Sequence, residues 1–188
     1  MKPVDRSEIL DYVTYGEQRD AIRDRALAAK DLRRIDIGEH FTLLFENRET
    51  IRYQILEMVR VERIVKEAEI QHEVDTYNEL VGRGGTLCAT LLIGIPDEAE
   101  RAVKLRAWLG LLEHLHATTE AGERLSPTWD PRQVGEERLS SVQYLSFAFG
   151  ERAPVGFGID WGARELVIET ALTDAQRGAL QADLDADD

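Results

Sequence analysis

A chain of 188 residues with 43% hydrophobic side chains is long enough to bury a core as one domain without a disulfide or a structural metal. Its formal charge of −13, from 36 acidic against 23 basic side chains, argues against a broad grip on nucleic-acid phosphates or on an anionic membrane. The lone Cys88 excludes an intramolecular disulfide framework and any zinc site built on several thiolates, and it fits a reducing cytoplasm.

Residues 1–8 lack the apolar run of a secretory signal, and the longest apolar run, near Leu91-Leu92-Ile93, is too short to span a bilayer. A cytoplasmic protein without a membrane role is expected. Residues 16–34 are rich in alanine, leucine and alternating charge, and Ile22, Ala26 and Ala29 recur at helical spacing, which predicts a first amphipathic helix. Ile35 and Ile37 lead to Gly38, after which Phe41, Leu43 and Phe45 alternate with Thr42, Leu44 and Glu46, the period of a strand with one apolar face. Asn47 or Thr50 then caps a second helix over 49–67. That helix continues, or restarts after a break near Ala68, to about residue 80, and Gly82-Arg83-Gly84-Gly85 stops it with a turn.

Residues 86–95 form the best candidate for a buried strand, and Cys88 within it reads as a small core hydrophobe. Pro96-Asp97-Glu98 opens a third helix, with proline in its first turn, that runs to about residue 110. Short β-prone segments at 111–119, 124–129, 141–149, 155–160 and 166–170, separated by Gly, Pro and Asp turns, predict an antiparallel meander. A last helix starts at Thr173, where Thr173-Asp174-Ala175-Gln176 matches a capping box, and turns Leu180 and Leu184 inward. The expected architecture is one α+β domain over 1–182, a largely antiparallel meander sheet with helices on one face. Residues 183–188, with Asp183, Asp185, Asp187 and Asp188, read as an acidic disordered tail.

The densest chemistry lies at the strand-to-helix junction. At about 100° per residue the second helix places Arg48, Arg52, Arg63 and Lys66 in one narrow sector, a cationic stripe on an anionic protein. Arginine's planar fork suits a phosphate or carboxylate, and equally suits in-chain acids such as Glu46 and Glu49. Glu46 and Glu62 would fix the guanidinium rotamers, while Tyr53 and Gln54 would add hydrogen bonds. The same projection sets Glu62 among Ile51, Ile55, Met58 and Val65 and, on an unbroken helix, brings Glu69 and His72 to that face. Glu69 and His72 have the spacing of a pair of helix-borne metal ligands, although the second copy that such bundles need is absent. His114 and His116 alternate on a predicted strand and would face one way, as candidate metal ligands. Tyr53, Leu56 and Ile64 form a second apolar set on the far side of the helix, which another subunit would cover.

From Leu44-Phe45-Glu46-Asn47-Arg48 through Thr50, Arg52-Tyr53-Gln54-Ile55, Glu57-Met58, Arg60 and Glu62-Arg63-Ile64, the chain resembles an uncharacterised bacterial family, the domain of unknown function numbered 3501. The likeness continues through Ile70-Gln71, Glu73, Asp75, Tyr77-Asn78, Tyr144-Leu145 and Phe147. The resemblance implies a cytoplasmic protein often encoded near rubrerythrin-like and iron–sulfur oxidoreductase proteins, hence a redox or oxidative-stress setting, and carries over no catalytic residue.

The reading is therefore of an accessory or binding protein, a homodimer, without a cofactor. It would engage a small anionic ligand or a protein partner through Glu46, Arg48, Arg52, Tyr53, Gln54, Glu62 and Arg63. The alternatives are a metal-dependent redox or hydrolytic enzyme using Glu62, Glu69 and His72 or His114 and His116, and a structural subunit of an oxidoreductase assembly.

Overall fold

Helix α1 (Tyr12–Asp31) starts where the Asp11 carboxylate accepts from the N–H groups of Val13 and Thr14, and it leads into strand β1 (Arg34–Ile37). At Gly38 the backbone takes a φ of 63°, and a Cβ there would stand 3.1 Å from Ile168; glycine meets both demands and turns the chain into β2 (Phe41–Phe45). Phe41, Leu43 and Phe45 are buried, as the period-two pattern requires. Both candidate caps take part in starting α2 (Arg48–Glu62): the Asn47 side chain accepts from the Thr50 N–H, and the Thr50 hydroxyl accepts from the Asn47 N–H.

Helix α2 stops before the predicted end. Arg63 takes a left-handed φ of 53°, and the Ile64 N–H reaches back to the Val59 carbonyl at 3.0 Å, which closes the helix end. The next helix, α3 (Glu67–Asn78), starts afresh at Lys66, so the expected break lies a few residues earlier than Ala68. Strand β3 (Thr86–Ile93) is followed by α4 (Glu98–Ala107), whose cap is Asp97, with Pro96 outside the helix. A 3-10 turn (Leu111–His114) precedes β4 (Leu115–Thr118), and β5 (Arg124–Leu125), β6 (Val142–Ala148), β7 (Gly156–Trp161) and β8 (Leu166–Ala171) follow. Helix α5 (Asp174–Asp185) has the Thr173–Gln176 capping box, and Leu180 and Leu184 are buried.

This computed structural model describes residues 1–186. The fold is α+β with antiparallel pairing, as expected, but the strands divide between two four-stranded sheets, ordered β1-β2-β3-β6 and β5-β4-β7-β8. The chain leaves the first sheet after β3, builds part of the second, and returns for β6. Phe45 from β2, Phe147 from β6 and Phe157 from β7 join the inner faces, with ring centroids 5.4–5.8 Å apart. Among the described residues no helix is long and apolar enough to cross a membrane.

Helix α1 packs along α2, and Leu56 and Ile64 of the second apolar set are buried within the chain. The expected tail over 183–188 is corrected at its start, because α5 continues through Asp185 and Asp183 is only 6% exposed. Its carboxylate faces the buried Arg33, which donates from Nε to Oδ2 at 2.6 Å and from Nη2 to Oδ1 at 2.7 Å. Arg33 Nη1 also donates to the Ala29 carbonyl at 2.9 Å, so the guanidinium ties α5 to the α1–β1 junction. Asp187 and Asp188 lie outside the described residues.

Candidate functional site

The strand-to-helix junction is built into the protein. Glu46 accepts from the Thr50 hydroxyl; Arg48 donates to Glu8 and, at 3.4 Å, to the Pro3 carbonyl; and Arg52 Nε donates to the Glu8 carbonyl at 3.2 Å. Arg48 and Arg52 thus fasten the N-terminal segment to the first turns of α2. The Tyr53 ring carries the Lys30 ammonium 5.6 Å from its centroid, and the half-buried Gln54 side chain makes no hydrogen bond among the described residues.

A residue passed over at the sequence level is the hub of this helix. Glu57 accepts from the Tyr15 hydroxyl at 2.6 Å, from Arg19 Nε at 2.7 Å and Nη2 at 3.2 Å, and from Arg60 Nη2 at 3.0 Å. Burial pushes its carboxyl up, but the hydrogen bonds from Arg19, Tyr15 and Arg60 outweigh that and hold it at about 2. Burial, reinforced by the bond to Glu57, pushes the Tyr15 hydroxyl above its ordinary value. The signal was present as Tyr15, Arg19 and Glu57 on two helices, but only the packing of α1 on α2 pairs them.

The end of α2 at Arg63 breaks the projected stripe. Arg63 and Lys66 stand in the joint between α2 and α3, not in line with Arg48 and Arg52. Glu62, Arg63, Lys66, Glu69 and His72 line a cleft of about 550 Å³ at that joint, where Lys66 is bonded to Glu69 at 2.8 Å. The joint therefore gathers the helix-borne metal candidates by a route other than one helix face. Among the described residues, however, no three His, Cys, Asp or Glu side chains are placed to share a metal ion. Because Arg63 bears a side chain in left-handed backbone, Arg63→Gly is expected to raise stability by about 0.5–1 kcal/mol, measured by urea unfolding.

The paired histidines part company. His114 lies in the 3-10 turn instead of the strand; its ring stacks on Trp161 at 4.6 Å, with Nδ1 3.1 Å from the Asp160 carbonyl. His116 is buried in β4, with Nε2 3.0 Å from Glu169 Oε1. His116, Gly158 and Glu169 are cross-strand partners, and Glu169 crosses the space that glycine leaves, since a Cβ on Gly158 would stand 2.5 Å from its Oε2. Arg124 bridges Asp160 at 2.5 Å and Glu169 at 3.2 Å. Cys88 is 9% exposed, with Sγ 3.5 Å from the Ser146 hydroxyl, and in the turn over 82–85 Gly85 packs against Gly150.

An open apolar cleft of about 810 Å³ lies between the turn that follows α4 and the segment 126–141. Leu112 and Leu139, exposed by 2% and 1%, form part of its lining with Pro127, Trp129 and Pro131. The segment has little regular structure yet is held in place. Thr128 exchanges backbone hydrogen bonds with Ser146 at 2.8 and 2.9 Å, and the Gln133 amide clamps the Tyr144 backbone at 2.8 and 2.7 Å. The Leu139 N–H donates to the Leu105 carbonyl at 3.0 Å. This cleft was missed at the sequence level. Its available signal was a long connection between strands that is rich in Pro and carries Trp129, a length unusual unless the loop has a task.

The fold and these clefts define an α+β protein of two antiparallel sheets with an open apolar cleft. The chain belongs to the DUF3501 family, described as a protein of unknown function, whose model matches residues 3–184. A crystal structure of a novel protein of unknown function from Burkholderia pseudomallei K96243 is similar to it, with a TM-score of 0.86 and 29% sequence identity, covering 97% of this chain and 99% of that one. No curated protein matches the chain.

Proposed function

We propose that the protein is an accessory binding protein that takes an apolar small molecule into the cleft beneath the 126–141 segment. The observation that supports this is a preformed opening of about 810 Å³, within the range of small-molecule sites, whose lining is mostly apolar and whose outer wall is pinned to β6. The strand-to-helix junction has less to offer a ligand, because Arg48 and Arg52 already have acceptors on the N-terminal segment. In this reading the junction orders the fold, and the cleft does the binding.

Titration with the neutral apolar dye Nile red tests the assignment. A saturable, one-to-one fluorescence gain is expected, and Val134→Trp, which places an indole on the half-buried lining, should abolish it while leaving the thermal midpoint within a few degrees. Non-saturable binding, or saturable binding that Val134→Trp leaves untouched, would remove the cleft from consideration.

A further inference from the structure

We infer that the cleft selects an organic cation: an ammonium group carried on an apolar or aromatic body. The inference rests on the cleft being the binding site and concerns the chemistry of its occupant. Glu113 is the one ionisable side chain in the lining; it is solvent-exposed and makes no ion pair with a lysine, arginine or histidine among the described residues.

An anionic head group would meet no lysine or arginine in the lining and would face Glu113 on a chain of net charge −13, whose field repels it. A sugar or other polyol would find Thr128 as the only hydroxyl side chain there. An ammonium beside Glu113 forms an exposed ion pair with the one charge in the lining, while the apolar body covers Leu112 and Leu139. Trp129 adds an aromatic ring to the same lining, a surface suited to a cation as well as to hydrocarbon.

Three probes with one ring system separate the head group from the body: 1-naphthylmethylammonium, 1-naphthalenemethanol and 1-naphthoate, titrated by calorimetry at pH 7. The ammonium should bind roughly threefold to tenfold more tightly than the alcohol, and the carboxylate more weakly than either. Glu113→Gln should bring the ammonium to the affinity of the alcohol and leave the alcohol unchanged. Equal affinities for ammonium and alcohol in the native protein, or an ammonium affinity that Glu113→Gln does not alter, would overturn the cation selectivity while leaving the cleft as a binding site. Absence of binding by all of the probes would overturn both readings.

Discussion

Asp183→Ala is expected to destabilise the protein by about 3–5 kcal/mol, seen as a lower urea midpoint at unchanged slope. The substitution strands the Arg33 guanidinium, whose side chain is 9% exposed and whose main carboxylate partner is Asp183. A buried cation without its counterion carries the full desolvation penalty. The pair itself has a smaller net worth, because both ions were taken out of water to form it. Arg33→Met combined with Asp183→Leu should therefore recover most of the loss. A loss below about 1 kcal/mol for Asp183→Ala would mean that the end of α5 is frayed and solvated and that the pair is not formed.

Acid should weaken the α1–α2 packing through Glu57. Its carboxyl is held at about 2 in the folded protein against an ordinary value of 4.5, so the folded state favours the ionised form. The stabilisation is present in full above about pH 4.5 and is lost as the pH falls toward 2. We expect a contribution of roughly 2 kcal/mol, below the full linkage value because the side chain is 17% exposed and its partners reach solvent. Glu57→Gln should lose about that much at neutral pH and flatten the acid limb of a stability-versus-pH curve. An unchanged acid limb in the variant would assign the pH dependence to other carboxylates.

Local rules carried much of the fold. The cap at Asn47, the capping box at Thr173–Gln176, the buried alternation of Phe41, Leu43 and Phe45, and the inward Leu180 and Leu184 all stand in the structure as their spacing predicts. Such signals are legible because a cap or a strand face is satisfied by residues close in the chain. The stripe of Arg48, Arg52, Arg63 and Lys66 was less secure, since it assumed an unbroken helix. Nothing in the residue type of Arg63 announces left-handed backbone, which glycine adopts far more readily. The cleft was illegible for a further reason: its lining comes from the turn after α4 and from a loop whose position depends on contacts with β6 and Leu105.

By itself, then, the sequence determined an anionic α+β chain with one cysteine, the caps of α2 and α5 and the apolar strand faces, because composition, capping and periodicity act over a few residues. Only the tertiary structure decided which sheet each strand joins, that Asp183 is a buried counterion instead of tail, that Glu57 gathers Tyr15, Arg19 and Arg60, and that Leu112 and Leu139 line one apolar cleft. Those outcomes depend on groups far apart in the chain meeting where water is scarce. There the pairing of charge and the filling of volume, and not local propensity, set the energy.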